Sequence, residues 1–555
     1  MSDFLWVDKY PKGVPNQIQE SEYKSLLDLF EHASKTYGDE EAFENMGKVL
    51  SFNEVDELST AFAAYLQIEC KLEKGDRIAL QMPNMLQYPV ALIGSLKAGL
   101  IVVNTNPLYT AREMEHQFND AEVKAIVVIA NFASSLESIL HNTKIEHVIV
   151  TKLGDLLGGF KGSLVNMVVK HVKKMVPKYN IPTAVKFNNV LARGKQLTYA
   201  RPEVNADDVA FLQYTGGTTG VSKGAMLSHS NIINHTSQIT HWFSPLLSGK
   251  EVIITAIPLY HIFALTVNGI FMYDIGAKSI LITNPRDMKG FVAELKKHQF
   301  TIMTGVNTLF NGLLNNPEFK NVNFSNLKVT IGGGMAVQDF VARKWREVTN
   351  STLCEGYGLS ETAPVLCCNP LDGTEKIGTI GLPTPSTEVG IFDEEENKLA
   401  QGEVGEICAR GPQVMSGYWK QDNSEVFIQG GWFKTGDIGL MDEDGFFKIV
   451  DRKKDMICVS GFNVYPNEVE NVIANHKKVL EVAVIGVADN KSTEAVKAYI
   501  VKSDESLTEE EVKAFCEANL TGYKKPKHIE FRTELPKSNV GKILRRVLKE
   551  ELLVK

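Results

Sequence analysis

Residues 213–225 read Gln-Tyr-Thr-Gly-Gly-Thr-Thr-Gly-Val-Ser-Lys-Gly-Ala, crowding the hydroxyls of Thr215, Thr218 and Thr219 and the glycines Gly216, Gly217 and Gly220 into one short loop. Glycines reach positive φ and lack a Cβ, so successive backbone N–H groups can converge on an anion while threonine hydroxyls donate from the sides. Tyr214 enters the loop and Lys223 leaves it with a positive charge. The chemistry such a set fits is the holding of a polyphosphate. It is not a Walker A loop, which needs Gly-Lys-Ser/Thr after four spacer residues, because Lys223 follows Ser222 and precedes Gly224. An ordinary Gly/Thr surface turn has the same composition, so the rest of the chain must decide.

The loop needs strands and helices to aim it. Short β-branched runs at 77–81, 125–129, 147–150 and 252–255 alternate with helically spaced segments, including 88–96 and 290–298. That rhythm predicts an α/β fold with layered, buried parallel strands. After about residue 388 the texture changes to short strands and Gly-centred turns, a small β-rich subdomain. Beyond the charged run Asp451-Arg452-Lys453-Lys454-Asp455, a helix near 466–476 and strands at 482–487 and 496–501 predict a smaller, mobile α+β C-terminal domain. The expected boundaries are 1–452 for the large N-terminal domain, 453–455 for a hinge and 456–555 for the mobile domain.

With 555 residues, 44% hydrophobic and 23% charged, the chain is too long for one compact unit. Its net charge of -8 argues against a nucleic-acid partner, which demands a basic face, so an anionic ligand must be met locally. The 7 cysteines show no Cys-x-x-Cys spacing, so neither a zinc site nor a disulfide framework follows. No basic-then-apolar leader and no apolar run near the roughly 20 residues that span a bilayer is present, and a cytoplasmic protein is expected.

Five further segments accompany the loop: Pro258-Leu-Tyr-His261; Gly356-Tyr-Gly-Leu-Ser-Glu-Thr362; Gly431-Trp-Phe-Lys-Thr-Gly-Asp437; Asp451-Arg-Lys-Lys-Asp455 with Ser460-Gly-Phe-Asn-Val-Tyr-Pro466; and Pro536-Lys-Ser-Asn-Val-Gly-Lys542. In order and wording they resemble the adenylate-forming enzymes, the superfamily of acyl-CoA synthetases, luciferases and peptide-synthetase adenylation domains, and most nearly its bacterial long-chain fatty acid–CoA ligases. The resemblance covers nearly the whole chain. It implies ATP, Mg²⁺ and coenzyme A, with a long-chain fatty acid converted through an acyl-adenylate to acyl-CoA.

The resemblance also assigns residues. Thr215 to Lys223 would cradle the β- and γ-phosphates, Ser360 would donate to the α-phosphate, and Glu361 with Thr215 would hold Mg²⁺. Gly333, Gly334, Gly356, Tyr357 and Gly358 would form the adenine slot, and Asp437 and Arg452 would meet the ribose and α-phosphate. Gly461 falls in the motif after the hinge and joins the cofactor set. Lys542 would neutralise carboxylate and α-phosphate during adenylation; at roughly 4 Å and an effective dielectric near 20, such a pair is worth about 4 kcal/mol before desolvation. His261 would sit beside the acyl carboxylate, with the acyl tunnel along Ala264, Val267 and Gly269; Leu265 stands where some relatives carry an indole gate. Lys454 would be the pivot of a domain swing between half-reactions. Blander roles exist for each: a helix N-terminal charge for Glu361, a structural ion pair for Asp437 and Arg452, a core imidazole for His261, tight turns for the glycines and a surface amine for Lys542.

The stretch 156–202 has no Asp or Glu but carries Lys161, Lys170, Lys173, Lys174, Lys178, Lys186, Arg193, Lys195 and Arg201. Val165, Val168, Val169, Val172, Met175 and Val176 follow helical spacing within it, predicting a basic amphipathic helix over about 164–176. It is either a peripheral contact for anionic membrane or a core-packed helix with a solvated basic back. A homodimer is compatible with all of this. The rival readings are an acyl-AMP ligase that loads a carrier protein and a non-catalytic lipid-binding protein, against which Glu361, Asp437 and Lys542 count.

Overall fold

The computed structural model describes residues 4–215, 222–244, 246–247, 250–489, 492–538 and 541–553. Strands such as Ile101–Asn104 and Val123–Ile129 are buried along nearly their whole length, as only a sheet covered on both faces allows. They belong to a seven-stranded sheet in the order Val185–Lys186, His147–Thr151, Val123–Ile129, Arg77–Gln81, Ile101–Asn104, Val209–Thr215, Lys223–Ser228. Its pairings are parallel except the last, an antiparallel hairpin in which Thr215 faces Lys223.

A nine-stranded sheet follows the order Leu382–Pro383, Val365–Cys368, Leu353–Gly358, Val329–Gly332, Ile302–Gly305, Val252–Thr255, Lys278–Leu281, Glu41–Asn45, Lys48–Ser51. The strands from Leu353–Gly358 through Glu41–Asn45 are parallel, and antiparallel strands finish both edges. The helix Gln87–Lys97 is buried on every side, which explains why its sequence is largely apolar and why its Gln87, Ser95 and Lys97 are all hydrogen-bonded or ion-paired. Parallel strands send their C-terminal ends to one rim, where loops can gather around a ligand. Val252–Thr255 leads there to His261, Ile302–Gly305 to Val306, Val329–Gly332 to Gly333, and Leu353–Gly358 to Ser360.

Two smaller sheets complete the chain. Glu388–Phe392, Gly405–Arg410, Trp432–Met441, Phe427–Ile428 and Phe447–Arg452 form a five-stranded antiparallel sheet in which Asp437 lies opposite Arg452. After a turn at Lys453–Asp455, the strands Ile457–Val459, Phe462–Val464, Val479–Asp489, Thr493–Lys502 and His528–Arg532 make another, packed by the helices Pro466–Ala474 and Glu509–Asn519 around their own core.

The basic stretch departs from its sequence reading. The helix spans Gly159–Met167 and runs on as a π-helical turn through Val172, then ends where Lys174 takes a left-handed φ of +52°. Met175 and Val176 therefore lie outside it, just before Pro177, a residue that disfavours helical geometry at the position ahead of it. Nor is the helix core-packed: Phe160 is 83% exposed and Val172 70%. It is seated by backbone, since a Cβ on Gly154 or Gly162 would lie 2.2 Å from the other's carbonyl oxygen, and this leaves its large side chains outward. The second half of 156–202 is built into the main fold. Val185–Lys186 is the edge of the seven-stranded sheet, and Gly194, in the helix Phe187–Gly194, abuts the Ala61 carbonyl closely enough that a Cβ would collide. Among the described residues no helix is long and apolar enough to cross a membrane.

Candidate active site

The rim of the nine-stranded sheet, the β-rich sheet and the C-terminal unit meet around Asp437. Its side chain is 5% exposed; Oδ2 accepts the Tyr357 hydroxyl at 2.7 Å and Oδ1 lies 3.2 Å from Arg452 Nε. Burial pushes this carboxyl up, against the pull of Arg452, Tyr357 and Lys542. Tyr357 sits on strand Leu353–Gly358 and Arg452 on Phe447–Arg452, so two sheets hold one carboxylate.

Glu361 follows in the single 3₁₀ turn Ser360–Thr362 and is also buried. Its Oε1 accepts the Tyr418 hydroxyl at 2.7 Å, and burial raises its pKa while that bond lowers it. Lys223, at the base of the Gly/Thr hairpin, places its ammonium 5.4 Å from the centre of the same Tyr418 ring. Tyr418 thus stands between Lys223 and the Glu361 carboxylate. The sequence reading passed it over: it lies 57 residues from Glu361, and nothing in Gly417-Tyr418-Trp419 distinguishes it from a packing aromatic.

Lys542 arrives from the C-terminal unit. Its Cε and Nζ lie 3.0 and 3.4 Å from where a Cβ at Gly334 would stand, so that glycine, with φ +76°, makes room for the side chain. Burial and the Arg452 charge lower its ammonium to about 8, against the opposing pull of Asp437 and Glu361. Burial, with the Lys542 charge, lowers His261 to about 3, so its imidazole is neutral. Its Nδ1 accepts the Phe263 N–H at 3.4 Å, which leaves the ring proton on Nε2 as a donor.

The remaining residues divide. A Cβ on Gly333 would lie 2.9 Å from the Phe263 ring and 3.4 Å from the Gly356 carbonyl, so a side chain there would fill the space between these loops. Gly358 has a separate reason to be glycine: the Pro364 carbonyl comes within 1.7 Å of its Cβ position. Tyr214 does not reach the cluster with its hydroxyl, which donates to Asp120. Thr215 ends its strand opposite Lys223. Gly216, Gly217, Thr218, Thr219 and Gly220 lie outside the described residues. Lys454 occupies the turn between sheets, and burial lowers its ammonium. Gly461 forms the tip of the hairpin from Val459 to Phe462, with φ +84° and open space around it.

Magnesium takes one or two carboxylates and completes its shell with water and phosphate oxygens. Glu361, buried and bonded by Tyr418 on one oxygen, fits that demand, and the Thr215 hydroxyl, at the end of its strand, is an oxygen of a kind magnesium accepts. Among the described residues the one His/Asp/Glu group within metal-ligating reach is Glu44, Glu294 and His298, but Lys278 and Lys297 already pair with its carboxylates.

The family model for an AMP-binding enzyme matches residues 30–419, and that for an AMP-binding enzyme C-terminal domain matches 468–542. A long-chain-fatty-acid–CoA ligase of Salmonella typhimurium is 55% identical over 549 residues, covering 99% of this chain and 98% of that one. A Bacillus subtilis protein of the same name is 37% identical over 551 residues, covering 98% of both. Among solved structures, ATP-bound MatB from Rhodopseudomonas palustris superposes with a TM-score of 0.77 at 26% identity, covering 95% of this chain and 98% of that one. The anthranilate CoA ligase AuaEII in complex with anthranoyl-AMP reaches 0.85 at 24% identity, covering 96% and 98%.

Proposed function

The chain belongs to the AMP-binding enzyme family, and we propose that the residues gathered around Asp437, Glu361 and Lys542 activate a long-chain fatty acid as its adenylate and pass the acyl group to coenzyme A. The enzyme is an AMP-forming acid–CoA ligase that uses ATP, Mg²⁺ and coenzyme A. The observation that carries the residue roles is the placement of Lys542, from the C-terminal unit, among the charges of Asp437, Glu361 and Arg452 and beside His261.

A carboxylate resists a thiol because it would have to expel oxide. In the first half-reaction a carboxylate oxygen attacks the α-phosphorus, the bond to the bridging oxygen breaks, and pyrophosphate leaves with its electron pair. In the second the coenzyme A sulfur attacks the acyl carbon and AMP departs. The first step drives anions together, so fixed cations and donors should dominate it. Lys542 supplies the charge where carboxylate and α-phosphate meet, and the neutral His261 offers Nε2–H to the carboxylate without burying a second cation. Asp437 accepts from the ribose hydroxyls, Arg452 holds it in place, and Lys223 with the Thr215 loop takes the outer phosphates. Bound at Glu361, Mg²⁺ would neutralise phosphate charge. The acyl chain runs behind His261 along the wholly buried π-helical segment Ala264–Phe271.

Residues 1–452, 453–455 and 456–555 act as body, hinge and mobile domain, because Lys542 must withdraw before a thiol can reach the adenylate. The exposed helix at 159–172 brings the enzyme to anionic lipid: Phe160, Leu164, Met167 and Val172 face outward with Met175 just beyond, flanked by Lys170, Lys173 and Lys174. An amphipathic, basic, outward apolar row of this kind suits the interface plane, where a water-insoluble substrate is concentrated.

Pyrophosphate release across acids of increasing chain length tests the substrate class. Release should climb toward the long-chain acids; preference for short or aromatic acids would overturn it.

A further inference from the structure

A catalytic lysine on a domain that comes and goes needs a seat on the domain that stays. We propose that Thr308 is the positioning residue that seats Lys542 for adenylation. Its Oγ1 donates to the Gly541 carbonyl at 2.9 Å, the residue directly before Lys542. Gly541 has φ +84°, and a Cβ there would stand 2.6 Å from Thr308 Oγ1, so both the backbone conformation and the close approach require glycine.

The seat extends to the glycine loop. Val306 Cγ2 lies 3.3 Å from the Gly541 Cβ position and its Cγ1 3.9 Å from that of Gly334, so one side chain touches both segments that bracket the Lys542 amine. Asn307 exchanges two bonds with Gln338, Nδ2 to Oε1 and the Gln338 N–H to Oδ1, each 3.0 Å, which fixes the far end of the loop that begins at Gly333. Arg286 adds a longer bond, 3.4 Å, to the Ser538 carbonyl, and the Lys542 N–H donates to Ser538 Oγ at 3.1 Å. Thr308 and Arg286 both reach backbone carbonyls of the mobile unit. Such bonds fix register yet open without stranding a buried charge, as a dock that releases every turnover requires.

The inference rests on the reading of Lys542 as the adenylation lysine, so the two are tested together. Thr308→Val, Thr308→Ala, Thr308→Ser and Lys542→Ala are assayed in the full chain for pyrophosphate release from free acid and for thioester formation from supplied acyl-adenylate. Thr308→Val and Thr308→Ala should slow pyrophosphate release about three- to tenfold, the worth of one neutral hydrogen bond, in kcat with little change in the KM for ATP. Thioester formation should be intact, which also reports a folded protein, and Thr308→Ser should restore adenylation. Unchanged pyrophosphate release in Val and Ala, or equal slowing of both half-reactions, overturns the seating role. If Lys542→Ala slows adenylation selectively while the Thr308 variants do not, only this inference falls. If Lys542→Ala is not selective, the assignment of Lys542 falls with it.

Discussion

At the residue scale, the site is a small number of charges made to coexist out of water. Lys542 keeps its ammonium because Asp437 and Glu361 oppose the burial and the Arg452 charge that lower it to about 8. A lowered amine loses its charge as pH rises through that value, so kcat/KM for pyrophosphate release should decline above about pH 8, approaching tenfold per unit. An arginine cannot be discharged in that range. Lys542→Arg, whatever rate it retains, should therefore show a flat profile from pH 8 to the alkaline limit of stability, measured as kcat/KM against pH; a persisting decline would assign the alkaline limb to another group. The sequence disclosed Asp437, Tyr357, Arg452 and Glu361 because each stands in a motif whose wording marks it, and they do converge. Tyr418 and Thr308 escaped it because each acts on a partner far along the chain, across 57 and 233 residues, through a hydroxyl that any surface or core position could carry.

At the element scale, the strands were legible wherever both faces are buried, since a run such as 125–129 leaves no polar face to confuse its period. The basic helix was misplaced because its valines satisfy helical spacing whether or not they pack. What sets its position is the glycine contact between 154 and 162 and the left-handed Lys174, features of backbone rather than pattern. The turn at Lys453–Asp455 is held at both ends: Arg452 by Asp437 and the Lys453 N–H by the Gly436 carbonyl on one side, Asp455 by Arg545 and Lys549 on the other. Lys454 lies between those holds. Proline there fixes φ near -65° and should leave pyrophosphate release close to the parent's while slowing thioester formation at least tenfold. Unchanged thioester formation in a folded Lys454→Pro would place the swing elsewhere.

At the scale of the whole molecule, the large domain builds a rim of strand ends and the small domain sets Lys542 against it, while the helix at 159–172 is the proposed contact with the lipid phase. Lys170, Lys173 and Lys174 each contribute up to about 1 kcal/mol near an anionic surface, weakening as salt screens them. Changing all three to Glu should reduce cosedimentation with anionic vesicles, most clearly at low salt, and leave turnover of detergent-dispersed acid nearly intact; vesicle binding that ignores both salt and the change would remove the membrane role. If this rim makes an acyl-adenylate, labelled pyrophosphate exchanges into ATP without coenzyme A, and that exchange should need both Mg²⁺ and a long-chain fatty acid and fall at least 10² in Lys542→Ala. Exchange indifferent to the acid, or ADP and phosphate formed in its place, would contradict it.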